Sequence, residues 1–371
     1  MKKIQLLALM ICCAMASDNL QAQEYWDKIK AKKSTLEVEK GFINLSTKSF
    51  ELKLLKSSQT VAALSPLTDK TFDFTPGERL SIRDKDGLYQ LGDINLRIKA
   101  ADESWKSYST AAKRASITAL NVSGNVLAAA DLSNTLPTDI PVSIKRFYEE
   151  KAGNLILRFE ITNNSNAAQE IGALGIPMVF NNILEGKTLD ETHLHNVFFD
   201  PYIGKDAGYL EVKRLSGHGP ALLLLPEENM PFEAYRPLLD DDTPRSIVFE
   251  GFHEWMPFSK AYADQEWKTA EQWNTPTSLV LQPGEAKSFS LKFVLVDQIE
   301  NIQSSLIQNE RPVAVGVPGY VLPQDVDGQL FLKYKKAVKS FKVEPEGALT
   351  VQEKSKNKNG YFQYAVHGKK W

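Results

Sequence analysis

Cysteine is nearly missing from this chain: its 371 residues include two, Cys12 and Cys13, side by side near the N-terminus. Both fall in a leader that is expected to be removed. The mature chain is then left without a disulfide or a thiolate, which excludes cysteine catalysis and cysteine-ligated zinc. Its stability must come from core burial, which this length permits. A surplus of one charge is missing as well. Lys plus Arg number 44 against 46 Asp plus Glu, a formal net charge of −2, and without a basic field no nucleic-acid partner is expected. Beyond the leader, apolar strings such as LGIPMVF and ALLLLP are far too short to span a bilayer. The sequence has no His-Glu-X-X-His, no Gly-X-Ser-X-Gly, no glycine-rich phosphate loop and no internal repeat, so no cofactor is expected.

The leader has the three parts of an export signal. Lys2 and Lys3 give the positive end, Ile4 to Met15 a short apolar core, and Ala14-Met15-Ala16 and Leu20-Gln21-Ala22 small residues for cleavage. Residues 1–22 are therefore expected to be a signal peptide, and the product to be secreted or periplasmic. Lipid attachment at Cys12 or Cys13 fits badly, because the bulky Ile11 precedes the pair.

From Leu36 onward the hydrophobic period is close to two. Phe50, Leu52 and Leu54 alternate with Glu51 and Lys53, and similar short runs recur between Asp-, Gly- and Pro-rich turns. Runs expected as strands include Phe72–Phe74, Leu80–Ile82, Ile94–Ile98, Val142–Tyr148, Leu155–Thr162, Gln169–Ala173, Tyr209–Leu215 and Ala221–Leu225. Asn163 to Asn166 reads as a hairpin loop, and Ser278–Leu281 with Ser288–Val296 as a closing hairpin. The period changes once. Ile299, Ile302, Leu306 and Ile307 fall at helix spacing, with Asp297 and Glu300 placed for a capping box and Pro312 as the stop. Val313–Pro323 reads as a linker. Short strands at Leu330–Leu332, Val338–Val343, Ala348–Val351 and Tyr361–Val366 then make a small module that looks incomplete. The expected division is 1–22 signal, 23–296 large β domain, 297–318 linker helix and loop, and 319–371 small β module.

One stretch combines rings and acids. Residues 247–273 read IVFEGFHEWMPFSKAYADQEWKTAEQW. Aromatic faces cover the apolar side of a sugar, and carboxylates accept from its hydroxyls. Trp255, Trp267, Trp273, Glu250, His253 and Glu254 are therefore the carbohydrate-contact candidates; the competing reading is aromatic packing where a loop folds back over a sheet. On a strand, Glu250 and Glu254 share one face, but two carboxyls must stand at set separations before they cleave a glycoside, so no catalytic residue is assigned. His193 and His195, as i and i+2 on a strand, are weak metal candidates with Glu191 or Asp200; the bland reading is an ordinary histidine pair.

Several strings together resemble a family of secreted proteins of unknown function that look like six-hairpin glycosidases. They are Ser49-Phe50-Glu51-Leu52-Lys53-Leu54, Ser58-Gln59-Thr60-Val61, Phe72-Asp73-Phe74-Thr75-Pro76, Gly92-Asp93-Ile94, Phe199-Asp200-Pro201-Tyr202-Ile203-Gly204, Gly251-Phe252-His253-Glu254-Trp255 and Pro318-Gly319-Tyr320. The resemblance implies a mainly β chain: a large antiparallel, galactose-mutarotase-like supersandwich, a linker helix and a small Ig-like module. It also implies a helical catalytic toroid following in the same chain, a part this sequence lacks. The expected role is a non-catalytic sandwich that buttresses such a domain and contacts glycan. The alternatives are a free-standing lectin-like protein and a mutarotase-like or hydrolytic enzyme.

Overall fold

Period-two burial builds the molecule, and burial on both faces marks its central strand. In the computed structural model the described residues are 28, 31–86, 89–227, 230–238, 251–323, 325–356 and 359–368. The expected signal peptide and Glu250 lie outside them. The strands in chain order are β1 (Phe42–Ser46), β2 (Phe50–Leu55), β3 (Val61–Pro66), β4 (Asn95–Ala100), β5 (Lys106–Ser109), β6 (Thr118–Ala119), β7 (Val126–Asp131), β8 (Val142–Lys151), β9 (Asn154–Asn163), β10 (Gln169–Met178), β11 (Val197–Tyr202), β12 (Tyr209–Arg214), β13 (Ala221–Glu227), β14 (Ala234–Pro237), β15 (His253–Phe258), β16 (Leu279–Leu281), β17 (Ala286–Val296), β18 (Val313–Val317), β19 (Gly328–Lys333), β20 (Leu349–Lys356) and β21 (Phe362–Gly368). By contacts the chain falls into two units, Met1–Gly217 with Leu222–Leu295, and His218–Ala221 with Val296–Trp371.

Among the described residues the first unit holds three antiparallel sheets. β1-β2-β3 form a small one. β14-β15-β10-β4-β5, with β16 also on β10, form a six-stranded one. β11-β12-β13-β17-β9-β8-β7-β6 form an eight-stranded one. Leu96, Ile98, Ile176 and Trp255 from the six-stranded sheet share one apolar core with Ile144, Leu157, Phe159, Leu224 and Leu291 from the eight-stranded sheet, and with Phe50, Leu52 and Leu54 of β2. Burying a side chain of this size contributes about 1.5–3 kcal/mol, which is how the described residues, among which there is no cysteine, hold a wide sandwich together.

The two expected hairpins are sheet-switching corners instead. β9 belongs to the eight-stranded sheet and β10 to the six-stranded one; β16 pairs with β10 while β17 pairs with β9. Asn163 ties the corners together. Its backbone N–H donates to Glu285 O at 2.9 Å, its carbonyl accepts from Gly284 N at 2.8 Å, and its amide donates to Leu281 O at 2.9 Å. Period-two patterning marks a strand but not which sheet it joins.

Other expectations fail for local reasons. Leu80–Asp86 is helical, not a strand, with Leu80, Arg83 and Asp84 buried at positions i, i+3 and i+4. Phe72–Phe74 lies outside the strands but packs into the core, its two rings edge to face at 5.0 Å. The histidine pair sits on a helix, Leu189–His195, begun by a capping box between Thr188 and Glu191. On a helix, residues two apart point to nearly opposite sides, so His193 and His195 do not share a ligand face. Among the described residues no group of three His, Cys, Asp or Glu could hold a metal, and no helix is long and apolar enough to cross a membrane.

In the second unit β18-β19-β21-β20 form a four-stranded sheet. β18 occupies the expected linker, and Val338–Val343 is not a strand. The helix is shorter than expected: a 3-10 turn, Ile299–Asn301, leads into Ile302–Gln308, with no side-chain cap at either start. Ile302 and Leu306 are its buried residues, as the spacing indicates.

Candidate functional site

β10 runs IGALGIPM from Ile171 to Met178 and is buried throughout. A strand reads this way when both faces are covered. One face meets the core; the other is roofed by the segment 259–277. Ala173 and Met256 form a small apolar cluster there with Ala261 and Tyr262, with Trp105 and Trp267 packed against it. Glu233 pins both ends of the segment. Its buried carboxylate accepts from Ser259 N at 2.8 Å, Ser259 Oγ at 2.5 Å and Thr277 N at 2.9 Å, and also from Thr277 Oγ1.

Under this roof is a cleft of ≈ 220 Å³ whose polar wall includes Asn95, Arg97, Ser107, Arg236, Glu254 and Tyr262. Alternation along the strands supplies it. Asn95 and Arg97 flank the inward Leu96, and Arg236 and Glu254 are register partners across β14 and β15. Glu254 is the buried centre, 1% exposed. Arg236 Nε donates to its Oε1 at 2.6 Å and Asn95 Nδ2 to its Oε2 at 2.6 Å. Because the Asn95 amide must turn its NH₂ toward the carboxylate, its Oδ1 is the atom left over, and it is buried without a partner among the described residues.

Tyr262, from the roof segment, supports the second cation. The Arg97 guanidinium lies 3.8 Å from its ring centroid and the Arg236 guanidinium 4.7 Å. Burial, helped by the charge of Glu254, pushes the Tyr262 hydroxyl up to about 12, so it stays a neutral donor at physiological pH. Arg97 makes a two-pronged contact with Glu266 of the roof segment, Nη1 to Oε2 at 2.7 Å and Nη2 to Oε1 at 2.5 Å. The hydrogen bond from Arg97 holds the Glu266 carboxyl below the usual carboxylate range. This arrangement can bind and orient a hydroxyl-rich ligand through fixed donors and acceptors.

The expected contact residues scatter around this cleft. Glu254 lies in its wall. Trp255, next in sequence, points the opposite way and is 0% exposed, stacked on Phe232 at 3.7 Å with its indole N–H donating to Pro231 O at 2.9 Å. It is a core residue, not a sugar platform. His253 also faces away from the cleft, stacked on Tyr235 at 4.9 Å and edge-on to Phe199. Trp267 is half-buried against Tyr262, with ring centroids 5.0 Å apart, so loop-over-sheet packing accounts for it. Trp273 stands 84% exposed. Asn95, Arg97, Arg236, Ser107 and Tyr262 were missed as a set. The polar alternation Asn95-Arg97-Lys99, opposite the buried Leu96 and Ile98 of β4, is the available signal.

A family of unknown function, DUF5695, matches residues 53–371. The chain belongs to that family. No curated protein matches it. Among solved structures it is similar to a polysaccharide lyase, with a TM-score of 0.61 at 12% identity, covering 89% of this chain and 44% of that one. The chain thus spans less than half of the lyase's length. Weaker likenesses are to a galactose mutarotase-like protein from Lactobacillus casei (TM-score 0.44, 12% identity, 69% of this chain and 100% of that one) and a putative aldose 1-epimerase from Escherichia coli K12 (TM-score 0.40, 10% identity, 69% and 99%).

Proposed function

We propose that this DUF5695 member is an exported, glycan-contacting β-sandwich, the non-catalytic part of a larger carbohydrate-active protein whose bond-breaking domain is helical. In this reading the cleft beneath 259–277 holds sugar, and the rest of the sandwich buttresses the catalytic neighbour. The observation that carries it is the state of Glu254. Both of its oxygens are already engaged, by Arg236 and Asn95, at 2.6 Å each. A glycosidic acid needs an oxygen free to reach the leaving group and a second carboxyl poised across the bond. Here the nearby Glu266 is claimed by Arg97, which favours its charged form. A buried carboxylate with both oxygens engaged, beside one held in its charged form, suits recognition better than hydrolysis. The coverage of the lyase supports the modular reading, since one polysaccharide-active protein carries this fold as less than half of its length.

The test is calorimetric titration of the chain with plant and bacterial oligosaccharides, alongside an assay for new reducing ends or unsaturated products. The reading expects saturable binding, weakened at least tenfold by Asn95→Ala, and no product. Turnover by this chain that disappears in Glu254→Gln would replace it with the enzyme reading. Binding that survives Asn95→Ala but falls in Trp273→Ala would move the sugar to the exposed ring of a lectin-like surface.

A further inference from the structure

We infer that the sugar taken by the cleft carries a carboxylate, and that Glu266 is its internal stand-in on Arg97. The inference rests on the glycan-binding reading and sharpens it to acidic saccharides.

The two arginines of the wall have different partners. Arg236 is bound to Glu254, and both side chains are buried, at 10% and 1% exposure. Separating them would strand a charge away from water, so that pair stays closed. Arg97 is also largely enclosed, its side chain 15% exposed, but its partners belong to the roof segment: Gln265, whose Oε1 accepts from Nη1 at 3.1 Å, and Glu266, which is 49% exposed. An ion pair with one end in solvent is easily exchanged. Arg97 itself cannot leave: its guanidinium lies on Tyr262 at 3.8 Å, and its stem rises from β4, beside β10. A fixed fork of donors with a replaceable carboxylate is a carboxylate site.

Charge and hydrogen-bond capacity agree. The charged groups among the lining residues are Arg97, Arg236 and Glu254, so with Glu266 displaced the wall keeps one positive charge in excess. Among the described residues, Arg97 Nε and Asn95 Oδ1 are buried without a partner. The first is a donor left for an anionic oxygen, and the second an acceptor left for a hydroxyl. A uronic acid offers both within one ring. A neutral hexose offers only hydroxyls and has no carboxylate to take the place of Glu266 on the Arg97 fork.

The experiment titrates the full chain with galacturonate, glucuronate and mannuronate tetramers and with neutral hexose tetramers of matching linkage, in wild type, Glu266→Gln and Arg97→Gln. The expected result is binding of at least one uronate, weakening as salt is raised, tightened three- to tenfold by Glu266→Gln and reduced more than tenfold by Arg97→Gln. Glu266 is a surface side chain, so its variant keeps the test sound should Arg97→Gln fold poorly. Equal binding of acidic and neutral tetramers, unmoved by Glu266→Gln, would overturn the inference and leave the glycan-binding reading intact. Binding of neutral tetramers alone would also overturn it. No binding of any saccharide would remove both.

Discussion

The Glu254 carboxylate occupies the space where a side chain on residue 175 would begin: a Cβ built on Gly175 would stand 2.2 Å from Glu254 Oε2. The glycine is required by close approach, since no real Cβ tolerates that distance. Gly175→Ala should push Glu254 off Arg236 and Asn95. The expected outcome is a loss of about 1–3 kcal/mol in urea-unfolding stability, typical of overpacking, together with loss of saccharide binding.

Trp255 and Trp273 sit at opposite extremes of exposure, 0% and 84%. Trp255→Ala removes a ring stacked on Phe232 in the main core and should cost about 3–5 kcal/mol. Trp273→Ala should stay within about 0.5 kcal/mol of wild type. Chemical-denaturation midpoints of the two variants check this contrast.

Asp73 gives the fold a pH signature. It lies half-buried in the turn after β3, its Oδ1 accepting from Leu64 N at 2.9 Å and Thr75 N at 2.8 Å. Burial raises its pKa from 3.8 to about 6, against the pull of hydrogen bonds from Leu64 and Thr75. Between those values the folded chain holds a proton that the unfolded chain has released. Its contribution to stability therefore declines as pH rises from about 4 through about 6, and is flat below both values and above both. Thermal melts across pH 3.5 to about 7 should show this component in wild type and lose it in Asp73→Asn, relative to the other titrating groups.

Glu233 controls the roof. With both ends of 259–277 resting on its carboxylate, Glu233→Ala should free the segment from the sheet. Limited trypsin digestion should then cut after Lys260 or Lys268 at least tenfold faster than in wild type, because cleavage follows the population of the opened state.

The sheets were legible because period two marks buried strands wherever one face meets the core: Phe50, Leu52 and Leu54 are all buried as the alternation indicates. What the alternation does not encode is partner choice. The chain around Asn163 and Glu285 carries ordinary hairpin residues, yet each corner sends its strands to different sheets, a decision made by packing far away in sequence. The strand reading of Leu80–Ile82 failed because three residues are too few to separate a period of 2 from one of 3.6. The candidate site was half legible. Residues 247–273 do contribute Glu254, Tyr262 and Glu266, but the rings there are mainly scaffold. Arg97, Asn95 and Arg236 come from strands more than a hundred residues or a loop away, and only the folded register brings them to one carboxylate.

The reading that this sandwich holds sugar without cutting it is tested most directly by saturation-transfer NMR on oligosaccharides mixed with the full chain, followed over a day. The same spectra report contact and bond cleavage. The account predicts transfer from protein to sugar protons, abolished by Asn95→Ala, with the sugar's own signals unchanged in time. New reducing-end or unsaturated-ring signals that vanish in Glu254→Gln, or no transfer with any saccharide, would contradict it.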